Sequence, residues 1–316
     1  MNPSKLRLLG VIAAASLAVG ACSSSATPTP TPAPTPTPAP VATPSAVAAT
    51  SPTPAPLPTV PATELITAGT LTVCSDTTYP PQESLDASNN PVGSDIDLAK
   101  EIAKRLGLTL AVKSTVFDTI IPALTGGSCD IIISAQTITA DRQAQVDMIP
   151  YFAAGQSFDV LAGNPDNINT VMDLCGKAVA AETGTVEADH IAGTGDYTAA
   201  TSLSGQCTAA GKQAITLKVY PADTQALLAL HAGTVVAHFT DEPVVGNEVA
   251  QSGGSLQAVP AMTLERAPEG ISVTKNHPEL RDAVKAALQQ MIDDGTYLKI
   301  LTTWGVQSGA VTSTNS

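Results

Sequence analysis

Two stretches of this chain follow one plan. "DTIIPALTGGSCDIIIS" (118–134) and "DTQALLALHAGTVVAHFTD" (223–241) both open on Asp-Thr, run through an apolar helix, stop at glycine and continue as an apolar strand. Strands alternating with helices imply parallel α/β sheets. A unit that occurs twice, about a hundred residues apart, implies two similar lobes. "GTLTVCSD" (69–76) and "LTLAVKST" (108–115) read as strands on either side of "DIDLAKEIAKRLG" (95–107). In that segment Ile96, Leu98, Ala99, Ile102, Ala103 and Leu106 recur at helical spacing before Gly107. "TTYPPQESLDASNNPVGS" (77–94) reads as a loop. "PELRDAVKAALQQMIDDG" (278–295) predicts a last long helix, with Pro278 at its start and Leu280, Val284, Leu288 and Ile292 down one face.

In parallel α/β sheets, ligands bind beyond the carboxyl ends of the strands. Past "CDIIIS" lies "AQTITADR", ending at Arg142; past "TVVAHF" lies "TDEP", with Asp241. The threonines of the first segment suit a helix cap and Asp141 suits a first turn. Arg142 does not, because a cation there faces the positive end of the helix dipole. It lacks an anion. One lobe therefore offers a cation and the other an anion, each at the rim of its sheet, and a zwitterion in a cleft between them would satisfy both.

The first quarter of the chain is of another kind. "MNPSKLRLLGVIAAASLAVGAC" has a basic start, a short apolar core and small residues before Cys22, which together read as a secretory signal. Its ending resembles the bacterial lipobox, so residues 1–22 are expected to be a lipoprotein signal peptide with Cys22 carrying the lipid. Residues 23–62 hold 13 of the 25 prolines and favour extended polyproline II. At about 3.1 Å per residue this stretch reaches roughly 120 Å, which suits a disordered tether.

Without Lys5 and Arg7 of the signal, 13 basic residues stand against 28 acidic ones, a net charge of −15. No basic patch or stripe is present, which argues against nucleic acid as a partner. Four cysteines remain after Cys22. In an exported protein Cys175 and Cys207 could form a disulfide. Cys74 and Cys129 sit at apparent strands and read as buried free thiols. None shows the CxxC spacing of a zinc or redox site, and "HFTDE" alone is a poor metal site, so no metal or cofactor is expected.

The folded part resembles family 3 of the bacterial extracellular solute-binding proteins, the receptors of polar amino-acid ABC importers. "GSDIDLAKEIAKRLG" (93–107), "FDTIIPALTGGSCDIIISAQTITADRQAQVDMIPYF" (117–152), "CGKAVAAETGT" (175–185), "YPADTQALLALHAGTVVAHFTDEPV" (220–244) and "GISVTKNHPELRDAVKAALQQMIDDGTYLKILTTWG" (270–305) follow in family order. The resemblance implies an α/β, two-lobe periplasmic-binding-protein fold (type II), with two crossover strands as a hinge. Lobe 1 would comprise residues 63–157 plus 262–316, and lobe 2 residues 158–261. It further implies that Arg142 pairs with the α-carboxylate of an amino acid and Asp241 with its α-ammonium. Tyr79 and Phe117 would sandwich the ligand. Ala135, Thr137, the Thr183–Thr185 turn and Val186 would complete the binding set. Cys175 and Cys207 match a cysteine pair that recurs in such second lobes. Gln82 and Ser94 depart from the family pattern and are expected to loosen the packing under the cleft and the start of the first helix.

Asp76 and Glu182 fall where relatives touch the ligand side chain, and two carboxylates there favour a basic amino acid such as arginine, lysine, ornithine or histidine. The implied role is extracytoplasmic capture by a monomer and delivery to an ABC permease, with the membrane touched only through lipid. Other expectations are a polar or acidic amino acid, or an exported cyclohexadienyl/arogenate dehydratase-like enzyme with Glu182 or Glu242 as general acid.

Overall fold

The computed structural model describes residues 56–264 and 266–315. The expected signal peptide, the lipid-bearing Cys22 and most of the tether lie outside the described residues. In chain order the strands are β1 (Thr70–Ser75), β2 (Thr78–Tyr79), β3 (Glu83–Leu85), β4 (Pro91–Val92), β5 (Thr109–Ser114), β6 (Ile131–Ile132), β7 (Val146–Leu161), β8 (Ala178–Glu182), β9 (Thr216–Tyr220), β10 (Ala237–Asp241), β11 (Leu256–Ala258) and β12 (Arg266–Thr274). The helices are α1 (Ser94–Arg105), α2 (Ile120–Thr125), α3 (Ala140–Gln145), α4 (Val186–Ala192), α5 (Leu203–Ala209), α6 (Asp223–His231), α7 (Glu242–Gln251), α8 (Pro278–Asp293) and α9 (Thr296–Thr303).

The main sheet runs β5-β1-β6-β12-β7-β10-β8-β9, with β11 also on β7. On one side of β7, β1 lies parallel to both β5 and β6; on the other, β8 lies parallel to both β9 and β10. The 16-residue β7 spans both halves. It pairs antiparallel with β12 from Val146 to Gly155 and with β10 from Gln156 to Asp159. This shared strand brings the carboxyl ends of β1, β6, β8 and β10 around one cleft.

Each half has its own core. In the first, α1 buries Ile96, Leu98, Ala99, Ile102 and Ala103. It meets Leu71 and Val73 of β1 and Leu280, Val284 and Leu288 of α8 in one cluster. Asp95 and Asp97 in the first turn and Lys104 and Arg105 in the last suit the helix dipole. In the second half, Phe158 of β7 stacks on Phe239 of β10 with ring centroids 4.0 Å apart, and Val179, Ile191 and Leu203 pack around them.

Three expectations are corrected. Cys74 and Cys129 are not free thiols but a disulfide, with Cα atoms 5.7 Å apart. Cys74 lies on β1, beside β6, and Cys129 two residues before β6 begins; their separation is within disulfide reach. The stretch 77–94 is not plain loop: β2, β3 and β4 form a small antiparallel sheet. Gln82 does not loosen the cleft floor, since it is fully buried and its Nε2 donates to Glu269 Oε2 at 2.7 Å. The second disulfide joins Cys175 to Cys207.

Candidate functional site

Thr139 caps α3, its hydroxyl accepting from the Arg142 N–H at 3.2 Å, and so fixes where the arginine leaves the helix. The Arg142 guanidinium donates to the Thr137 carbonyl at 2.7 Å and to the Gly184 carbonyl of the other half at 3.1 Å. Its face lies 5.3 Å from the Phe117 ring centroid, a cation–π contact. Among the described residues no carboxylate lies within ion-pair distance of it. Burial lowers its pKa, while the more distant Glu187, Asp189 and Asp241 oppose that shift. The approach of the halves depends on Gly184, at φ +83°. A Cβ there would lie 2.9 Å from the Asp118 Cα.

Across the cleft, Asp241 ends β10, and Tyr79 holds it. The Tyr79 hydroxyl donates to Asp241 Oδ2 at 2.9 Å and accepts from the Asp241 N–H at 3.0 Å. Burial, then the charges of Glu187 and Glu269, push the Asp241 carboxyl well above the usual carboxylate range. A cation brought next to it would restore its ionised form.

Asp76 follows β1 and accepts from the Thr78 N–H and hydroxyl and from the Phe117 N–H at 2.8 Å. Glu182, at the end of β8, lines the same cavity as Asp76. Glu182 is 2% exposed and its Oε1 has no partner. Burial, then the charge of Asp76, push Glu182 up to about 10, so at neutral pH it holds its proton.

These groups close around a small cavity of about 10 Å³. Its walls include ten of the expected residues, namely Asp76, Tyr79, Phe117, Ala135, Thr137, Arg142, Glu182, Thr185, Val186 and Asp241. Thr183 does not line it; its N–H and hydroxyl both go to the Tyr220 carbonyl. Thr185 caps α4 by accepting from the Ala188 N–H.

The profile of the bacterial extracellular solute-binding proteins, family 3, matches residues 71–307. The chain belongs to that family. It is similar to the arginine-binding protein ArgT of Corynebacterium glutamicum, 30% identical over 76% of each chain. It is also similar to the histidine-binding periplasmic protein of Salmonella typhimurium, 31% identical over 72% of this chain and 84% of that one. Among solved structures, an ancestral arginine-binding protein bound to arginine superposes with a TM-score of 0.66 at 36% identity, covering 75% of this chain and 98% of the other. The fold is thus the two-lobe fold of the family.

Three cavity residues of this family 3 protein escape a reading of sequence alone: Glu83, Ser134 and Glu187. Glu83 accepts from the Ser134 hydroxyl at 2.8 Å. Burial and the charge of Asp95 raise it well above the usual range. Glu187 is 2% exposed with Oε1 unpartnered, and burial pushes it up to about 7. In sequence it is one more acidic residue in the first turn of a helix, a common arrangement with an ordinary explanation.

Proposed function

We propose that the protein captures a basic amino acid outside the cytoplasm and delivers it to an ABC-transporter permease, without catalysis. The α-carboxylate takes the fork of Arg142, where a guanidinium can make two parallel charge-assisted hydrogen bonds. The α-ammonium takes Asp241, and the cationic side chain reaches Asp76 and Glu182, with Tyr79 and Phe117 along its length. Residues 63–157 plus 262–316 act as one lobe and 158–261 as the other, closing over the ligand. Lipid on Cys22 and the 23–62 tether hold this domain near the membrane.

The observation that carries the reading is the composition of the cavity. Its one cation, Arg142, has no carboxylate partner among the described residues, while the acidic groups Asp76, Glu83, Glu182, Glu187 and Asp241 all line the same cavity. A zwitterion with an extra positive charge complements that set. A thermal-shift panel of the twenty amino acids plus ornithine tests it. Ligand at a hundredfold excess over Kd stabilises by about 2.7 kcal/mol. Arginine, lysine, ornithine or histidine should give the largest shifts; a panel in which only acidic or apolar amino acids respond refutes the assignment.

A second reading rests on Glu182 alone. A carboxyl that holds its proton at neutral pH is suited to general-acid work, as a dehydratase acting on a cyclohexadienyl acid would require. Product formed from prephenate or arogenate would support it.

A further inference from the structure

His238 lies inside β10, away from the ligand cavity, and is fully buried. Carboxyl groups from three other elements converge on its ring: Asp159 of β7, Asp223 of α6 and Glu248 of α7. Its Nε2 is 3.1 Å from Asp223 Oδ1, and its Nδ1 is 3.3 Å from both Asp159 Oδ1 and Glu248 Oε2. Asp159 is 0% exposed, points into this cluster and has no hydrogen-bond donor on either oxygen. Asp223 Oδ2 is likewise without one. Among the described residues, no lysine or arginine pairs with any of these carboxylates.

The imidazole has two hydrogen-bonding edges. With Nε2–H donated to Asp223, the Nδ1 lone pair points at two carboxylate oxygens. A buried arrangement of that kind is costly unless Nδ1 takes up a proton or a metal cation lies among the three atoms. We propose that Asp159, Nδ1 of His238 and Glu248 form a binding site for a divalent transition metal of the zinc class.

Several features support it. The three donor atoms all lie within 4.8 Å of one another. Zinc bonds of about 2.0–2.2 Å place tetrahedral ligand atoms about 3.3–3.6 Å apart, in line with the two 3.3 Å separations from Nδ1. Asp223 occupies the outer-shell position of a carboxylate–histidine–metal arrangement, which fixes the tautomer that leaves Nδ1 free. One imidazole with two carboxylates suits zinc better than magnesium or calcium, which prefer all-oxygen sites. Glu248 also lines a surface groove with Thr224, His231 and Asn247, which gives an ion a way in and water a place as fourth ligand. The site sits directly behind the ligand cavity, because Asp223 Oδ1 also accepts from the Thr240 hydroxyl, itself 2.8 Å from the Tyr79 hydroxyl.

The test uses the full chain, stripped with a chelator and titrated with Zn²⁺ and, for its visible spectrum, Co²⁺. The expected result is one equivalent of either ion retained through gel filtration, a Co²⁺ spectrum of a four-coordinate site, and a higher melting temperature with each ion. His238→Gln and Glu248→Gln should each lose that equivalent, while Glu182→Gln, in the ligand cavity, should keep it. Glu248 is at the groove wall and its amide is isosteric, so Glu248→Gln decides the matter if His238→Gln does not fold. Failure of the wild-type chain to retain either ion, or unchanged affinity in Glu248→Gln, overturns the site and leaves His238 as an imidazolium held by its carboxylates.

Discussion

Replacing Glu182 with glutamine isolates one member of the carboxyl pair from the rest of the cavity. Glu182, pushed up to about 10, holds its proton at pH 7. Ionising it there costs about 4 kcal/mol, three units at about 1.4 kcal/mol each. A cationic side chain set against the pair offsets that cost and displaces the proton. Binding of arginine or lysine should therefore release about one proton from Glu182 and tighten as pH rises from 6 to 8. Isothermal titration in buffers of different ionisation enthalpy counts these protons. In Glu182→Gln the release with arginine should fall by about one, while the release with a neutral amino acid such as glutamine should not change. The free protein provides a second readout. A carboxyl raised in the folded state gives full stability below its ordinary pKa and loses it as pH climbs toward the folded value. Between pH 5 and pH 7 the loss from Glu182 is about 3 kcal/mol, and urea denaturation of the variant should lack it. Equal proton release by wild type and variant with arginine would refute the assignment of Glu182 to the ligand side chain.

Gly184→Ala forces a side chain onto a left-handed backbone that also abuts Asp118. It should cost about 1–2 kcal/mol from the backbone alone and weaken every amino acid in calorimetry, because the clash opposes closure. Cys74→Ala with Cys129→Ala removes a bridge closing a 55-residue separation; chain entropy puts the loss at about 4 kcal/mol, measurable by denaturation beside the wild type. Gln82→Leu strips the donor from Glu269 on the cleft floor and should destabilise by about 1–3 kcal/mol, read as a lower urea midpoint.

The parts legible in the sequence were those with local causes. The apolar spacing of α1 and α8 is set by helical period, and the Thr139 cap by the residues that follow it. Arg142 and Asp241 stood out because they follow apolar strands, and strand ends converge in parallel sheets. What was illegible depends on contacts between distant segments. The Cys74–Cys129 bridge requires β1 to lie beside β6, and a buried cystine sits in the same apolar context as two thiols. The 77–94 sheet pairs strands of two or three residues, too short to show alternation. Thr183 belongs to a "TGT" turn that invites a ligand role, yet the Tyr220 carbonyl on the neighbouring strand takes both its donors. The departure at Gln82 has its explanation 187 residues away, in the buried Glu269.

The central claim is that Arg142 waits for the carboxylate of an incoming amino acid, and calorimetry of arginine with wild type and Arg142→Ala tests it most directly. Wild type should bind one arginine per chain. The variant, which loses charge-assisted hydrogen bonds of about 1.5–3 kcal/mol each and leaves a carboxylate buried without a partner, should bind at least about a hundredfold more weakly. Arginine bound by the variant as tightly as by wild type would contradict the account.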